Sequence, residues 1–345
     1  MNRKHFLNGL YILVAGLCLA GCEKRLGEGV VLKDILAGDA VRVNIGEKVK
    51  AQAWPVPWDC TDYEFTWESA DPLIATVDNF GRVTSVDVGN TVIYVSQGNI
   101  RKEIPVEVYE VTLAEKLQKL GVKALWEFQD ANSLFKATIG PDLVPVGSGF
   151  VQTDGYNRRT KAIVVPCSER VDGVWNYNHF IYSHGFAANG GGKKVNEFTV
   201  LIDCKFPGGP TGTPAWENGK YYCLYQTATD NTSDGDFFWR PRADYGITGL
   251  YTSSEHLFVK DTWYRFIISV QLGQELKYFL DGVRHPNSSP GDLDGERAWN
   301  PDGVLLFADN DGEDGQGFPL IVAKLAIFDR ALTEEEIKSN GIATF

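Results

Sequence analysis

From Ala40 onward Val41, Val43 and Ile45 alternate with polar residues. A period of two is what a strand with one buried face requires. The same alternation returns at Val92 and Tyr94 and at Ile104, Val106 and Val108, with Asn79 to Gly81 supplying a turn between earlier strands. Thr112-Leu-Ala-Glu115 then reads as a capping box, and Leu113, Leu117 and Leu120 fall on one helical face before Gly121. Beyond it the pattern becomes strand-like again. Strands are expected at Ala124–Phe128, Lys161–Val165, Phe198–Phe206 and Lys220–Thr227. Further strands are expected at Trp263–Leu272, Leu276–Leu280 with an Asp281-Gly282 turn, Val304–Phe307 and Leu320–Phe328. A second capping box, Thr333 to Glu336, opens a terminal helix. So many strands with so little helix predict an all-β chain built from two-sheet sandwiches.

The first residues break this pattern. Met-Asn-Arg-Lys-His is positive, and the apolar run from Leu10 to Ala20 is too short to span a bilayer as a helix. Residues 1–21 therefore read as a signal peptide. The run closes on Leu19-Ala20-Gly21-Cys22, which resembles a lipobox, and that resemblance implies diacylation of Cys22. A lipid there anchors the chain to a membrane without spanning it. An ordinary secretory cut nearby would export the chain without the anchor. Residues 22–32 are polar and glycine-containing, a short tether. The expected location is the cell envelope, lipid-anchored at the outer membrane, with surface and periplasmic faces both open.

Two resemblances divide the rest. Trp67, Asp71-Pro72, Ala75 to Asp78, Gly81-Arg82-Val83 and Gly89 follow the order seen in bacterial immunoglobulin-like domains of group 2. That resemblance implies an Ig-like β-sandwich over residues 33–110, with residues 111–123 as a linker helix. Residues 124–345 resemble the LamG-like jelly rolls of the concanavalin A-like lectin and glucanase superfamily. The matching segments include Leu125-Trp-Glu-Phe-Gln-Asp130, His184-Gly-Phe-Ala-Ala-Asn-Gly-Gly-Gly192, Tyr278-Phe-Leu-Asp-Gly-Val283 and Leu325-Ala-Ile-Phe-Asp-Arg-Ala-Leu-Thr333. Such jelly rolls serve as lectins, hydrolases and spacers, so this fold does not choose among functions.

Charge narrows the choice. The chain carries 33 basic and 45 acidic residues, a formal net charge of −12, and loss of residues 1–21 would remove Arg3 and Lys4. Nucleic acid is a poor partner for such a field, since phosphate binding needs a basic one. Of six cysteines, Cys18 and Cys22 belong to the leader and lipobox, and none of the rest forms a CxxC pair. Cys204 and Cys223 are expected on neighbouring strands. An oxidising compartment permits a bridge there; their strongly hydrophobic surroundings suit two small buried side chains.

Catalytic signatures are missing. No Glu has Asp two residues later, so the Glu-x-Asp-x-x-Glu strand of related glucanases is absent, and HExxH and GxSxG are absent too. A glycoside hydrolase would have to rely on an unmatched carboxylate pair. Asp309-Asn-Asp-Gly-Glu-Asp314 instead concentrates four carboxylates, and calcium is the natural cation for such hard oxygens. If the first and last strands of the jelly roll pair antiparallel, Asp130 lies at the same sheet edge. The expected structural calcium ligands are Asp130, Asp309, Asp311, Glu313 and Asp314. Sugar rings call for flat apolar faces with polar groups beside them. The candidates are Trp216, Trp239, Arg240, Arg242 and Trp299, with His184 and Asn189 flanking the glycine loop; each tryptophan could instead pack the sandwich, and His184 and Asn189 could simply form the turn. On a strand through 237–242 the two arginines share a face opposite Trp239. The expectation is a non-catalytic carbohydrate-binding envelope lipoprotein. A protein-binding adhesin or complex subunit and a glycoside hydrolase are the alternatives.

Overall fold

The computed structural model describes residues 29–207, 222–230, 235–240, 244–247, 250–253, 258–285, 289–307 and 319–345. The chain is all-β apart from short helices and divides into two units that part between Val111 and Thr112.

The first unit contains β1 (Asp34–Ala37), β2 (Val41–Asn44), β3 (Lys48–Lys50), β4 (Ala53–Val56), β5 (Thr66–Ser69), β6 (Ala75–Val77), β7 (Arg82–Ser85), β8 (Gly89–Gln97) and β9 (Ile100–Tyr109). A four-stranded sheet runs β2-β9-β8-β5, a three-stranded sheet β3-β7-β6, and β1 pairs with β4. The alternating positions meet in one core, where Val41, Val43, Val83, Ile93, Val95, Ile104, Val106 and Val108 are buried together. Gly81 shows why the turn before β7 needs glycine: its φ is +77°, and a Cβ would meet the Trp67 ring at 2.7 Å. Asp78 holds the same turn, its Oδ1 accepting from the amides of Phe80 and Arg82.

The second unit opens with α1 (Leu113–Lys119), β10 (Ala124–Trp126), a single 3-10 turn (Ala131–Ser133), β11 (Val144–Val146), β12 (Val151–Asp154), β13 (Lys161–Val165), β14 (Glu169–Val171), β15 (Val174–Asn176) and β16 (His179–Tyr182). It continues with β17 (Glu197–Lys205), β18 (Tyr222–Gln226), β19 (Asp236–Arg240), β20 (Asp244–Ile247), β21 (Leu250–Ser253) and β22 (Tyr264–Gln271). β23 (Glu275–Leu280), β24 (Val283–His285), β25 (Val304–Leu306), β26 (Leu320–Phe328) and α2 (Glu334–Ser339) complete it. An eight-stranded sheet has the path β12-β13-β26-β17-β22-β23-β24, with β10 also on β26, and a seven-stranded sheet runs β11-β16-β25-β18-β19-β20-β21. The first and last long strands do pair antiparallel, Leu125 opposite Ala326. β10 and β13 share one edge of β26 end to end, while β17 takes the other edge.

Alternate residues of the facing strands, among them Phe198, Val200, Ile202, Phe266, Ile268, Tyr225, Phe237 and Trp239, form the core between the sheets. A register shift at Asp203/Cys204, opposite Ala323, reverses which residues of β26 face that core. Leu320 and Val322 point in before it, Leu325 and Ile327 after it. The other face of the eight-stranded sheet is covered as well. Leu117 of α1 and Ile337 of α2 pack with Leu125, Leu201, Ile267, Ala326 and Phe328. The helix expected as a linker is thus part of the second unit. Both capping boxes form, Thr112 with Glu115 and Thr333 with Glu336.

One ion pair is sealed under this cover. Asp203 and Arg265 lie directly opposite on β17 and β22, joined by two 2.5 Å hydrogen bonds with both side chains almost fully buried. The remaining guanidinium nitrogen donates to the carbonyls of Ile342 and Thr344, so the arginine is satisfied by the segment that closes over it. Cys204, next in sequence, faces the core and burial pushes its thiol pKa well up. Cys204 and Cys223 lie in different sheets and are not joined by a disulfide, which corrects the expectation of neighbouring strands.

Candidate functional site

The glycine loop forms a closed knot. His184 is buried; its Nδ1 accepts from the Phe186 amide at 2.9 Å, so Nε2 carries the proton and donates to the Asn300 carbonyl at 2.9 Å. Burial holds its pKa below the ordinary histidine value. Asn189 donates to the carbonyls of Glu197 and Asp329, and its Oδ1 accepts from the amides of Asn196 and Glu197. Each functional group of these two side chains is spent inside the fold. The expectation that His184 and Asn189 contact ligand is therefore corrected: they build the turn.

Asp294, which sequence reasoning missed, locks the other side of this loop. Its carboxylate accepts from the amides of Lys193 and Lys194 and from Asn196 Nδ2, and its own amide donates to Asn196 Oδ1. These donors hold its carboxyl below the usual range, the Asn196 bond first among them. A Cβ on Gly192 would sit 2.3 Å from Asp294 Oδ1, so this glycine is needed for close approach. The only local hint is the Asp292-Leu-Asp-Gly295 turn composition, far along the chain from the loop it holds.

Two of the proposed sugar platforms lie in the core. Trp299 is fully buried and stacks on Phe198 with ring centroids 4.4 Å apart. Trp239 is fully buried among Phe206, Phe258, Tyr264 and Phe266. Neither presents a face to solvent, so both are corrected to packing residues. The β19 alternation places Trp239 inward, but the Arg240 side chain lies outside the described residues, as do Arg242 and Trp216. Asp309, Asp311, Glu313, Asp314 and Cys22 also lie outside them. Among the described residues no three His, Cys, Asp or Glu side chains converge as a metal site would need.

Asp130 is described, and it borders one concavity of the second unit. Its Oδ1 caps the 3-10 turn by accepting from the Asn132 amide at 2.9 Å. That turn forms one wall of an open groove of about 590 Å³ lined by Asn132, Leu134, Phe135, Lys136, Asp142 and Phe150, among others. Phe135 and Phe150 meet edge to face at 5.7 Å and are backed by Phe180 from the core. Asn132, Lys136 and Asp142 stand exposed at the rim, while the two rings are half-buried. Asp142 Oδ1 accepts from the Ala137 amide, which fixes the loop between them. The groove thus joins apolar ring surface to an amide, an ammonium and a carboxylate. None of its six named residues was singled out by sequence, because loop side chains from separate turns meet only after folding.

His179 also departs from ordinary histidine behaviour. Desolvation lowers its pKa to about 4, and its Nδ1 has no hydrogen-bond partner among the described residues. It sits on β16 opposite Val146 of β11. Glu336 moves down to about 2 through its hydrogen bonds from Arg330, aided by the Thr333 amide of the capping box.

Residues 36–108 match the family model of the bacterial Ig-like domain (group 2), which characterises the first unit. No curated protein matches the chain. Solved structures with detectable likeness include the binding domain of Paraclostridial Mosquitocidal Protein 1, at 15% identity and a TM-score of 0.44 over 63% of this chain and 51% of that one. Another is the ligand-binding domain of botulinum neurotoxin serotype D in complex with N-acetylneuraminic acid, at 14% identity and a TM-score of 0.43 over 64% and 50%. Domains 4 and 5 of the S-layer protein SbsC align at 25% identity and a TM-score of 0.20 over 23% of this chain and 52% of that one. The chain spans about half the length of each of these structures.

Proposed function

We propose that this is a non-catalytic carbohydrate-binding lipoprotein of the cell envelope, anchored through Cys22 at the outer membrane, with the groove beside Asp130 as its glycan site. The observation that carries the reading is the pairing in that groove of two half-buried phenyl rings with exposed Asn132, Lys136 and Asp142. Pyranose C–H faces pack on rings of this kind, and amide, ammonium and carboxylate groups fix the hydroxyls. The LamG-like resemblance of residues 124–345 agrees with such a role without demanding it.

Calcium belongs to the same reading as a structural ion. Asp130 uses one carboxylate oxygen on the Asn132 amide and leaves the second for a cation, and a carboxylate is the hard donor calcium prefers. Asp309, Asp311, Glu313 and Asp314 would supply the remaining oxygens.

Affinity electrophoresis of the whole chain from residue 22 through a panel of polysaccharides, in calcium and again in EDTA, tests both parts. Retardation by at least one glycan is expected, weakened about tenfold by either Lys136→Ala or Phe135→Ala, a loss that corresponds to about 1.4 kcal/mol. Loss of retardation in EDTA supports the ion. Retardation by no glycan moves the function to a protein partner; retardation indifferent to both substitutions moves the site elsewhere.

A further inference from the structure

The first unit leaves a row of large apolar side chains in solvent. In the β1–β4 pair, Leu36 lies directly opposite Trp54 and Val56 opposite Asp34, so Leu36, Trp54 and Val56 share one face. The other face carries Ile35 and Pro55 and is buried. Trp58 extends the row just beyond β4, and Val31 lies just before β1. Trp58 is 79% exposed, Val31 75%, Leu36 58% and Trp54 46%. Single exposed apolar residues need no explanation, but Leu36, Trp54 and Val56 on one face, with exposed Trp58 and Val31 close by in the chain, mark an interaction site.

The way the chain enters this unit says what the surface meets. The Lys33 amide donates to the Val56 carbonyl, and Cys60 Sγ donates to the Val30 carbonyl. The incoming segment is therefore pinned against the strand end and loop that carry Val56 and Trp58. Cys22 precedes Gly29 by seven residues, a span of at most ~25 Å even when fully extended. A lipid on Cys22 consequently holds Gly29, at the start of this unit, within that distance of the bilayer.

We infer that the Leu36, Trp54, Val56 and Trp58 face, with Val31, docks the Ig-like unit onto the lipid surface to which Cys22 is anchored; this rests on the anchor reading above. Tryptophan is the side chain best suited to that interface, because its ring is apolar with one polar edge. The charges nearby do not form a basic field. Asp34 is paired with Lys102 at 3.0 Å, and Asp62 and Glu64 stand exposed on the flank. The contact is therefore an apolar insertion that needs no anionic lipid and is insensitive to salt.

Two measurements separate the anchor from the docking. Cells fed an alkyne fatty acid should label the full chain and not its Cys22→Ser variant, which decides the anchor alone. The docking is decided on the chain from residue 22 carrying Cys22→Ser, mixed with phosphatidylcholine vesicles whose acyl chains are brominated. Quenching of tryptophan fluorescence is expected in low and high salt. The Trp54→Ser/Trp58→Ser double variant, folded by circular dichroism, should bind at least tenfold more weakly. No quenching, or quenching unchanged in the double variant, overturns the inference. So does a dimer formed without vesicles that the same double variant dissolves, which would assign the face to a second copy of the chain.

Discussion

The two units place tryptophan in opposite environments. In the second, Trp126, Trp239 and Trp299 are fully buried between sheets of eight and seven strands. In the first, Trp67 packs against the core, but Trp54 on the two-stranded β1–β4 piece and Trp58 just beyond it face water. The difference is one of available surface. A small domain encloses a smaller share of its chain than a large one, and a two-stranded ribbon can cover only one of its own faces. Tryptophan thus serves packing between the large sheets, while on the small ribbon it is left in solvent.

Replacing one tryptophan in each environment sharpens this contrast, and the largest effect is expected inside the sandwich. Trp299→Ala removes the ring stacked on Phe198 and leaves a cavity, which costs about 3–5 kcal/mol. Calorimetry of the whole chain should show the second unit's transition shifted far down with the first unit's transition in place. A small shift would mean that Trp299 is not the packing residue its burial indicates.

A second way to separate the units is by pH. The first unit, from residue 29 to 111, contains no histidine, whereas the second holds His179 with its pKa lowered to about 4 by burial. Between about 6.5 and 4 the unfolded chain binds a proton that the folded chain refuses, so stability is fully present above about 6.5 and falls as pH drops through that window. The expected loss is roughly 2–3 kcal/mol from His179, and His184 shifts in the same direction. The first unit's transition should stay flat over that window as far as histidine is concerned. If His179→Gln leaves the slope for the second unit unchanged, His179 is not its source.

What could be read in the sequence follows the same division. Period-two alternation marked Val41, Val43, Ile104, Val106 and Val108, all of them core. Short-range chemistry was legible too, since Thr112 and Thr333 cap their helices through residues three positions on. In the second unit the eight-stranded sheet is covered on both faces, so apolar residues occupy both faces of its strands and the pattern no longer says which face is inward. Cys204 and Cys223 could not be sorted into different sheets for that reason. Trp239 and Trp299 looked like platforms because composition reports size and not neighbours. The role of Asp294 and the Phe135–Phe150 groove are products of contacts between distant turns, and beyond the Asp292-to-Gly295 turn composition nothing local in the sequence announces them.

The smallest expected effect is the most demanding test of the comparison. Trp58→Ala removes the same side chain as Trp299→Ala, but from a position 79% exposed, with its neighbours already in solvent. No cavity forms, and the change in stability should stay within about 0.5 kcal/mol. Calorimetry on this variant should superimpose on the wild-type trace for both units. A loss comparable to that of Trp299→Ala would show that Trp58 supports the fold of the first unit, and the apolar row would then need no ligand to explain it. A silent substitution leaves the ring with no structural task and free for the lipid contact inferred above.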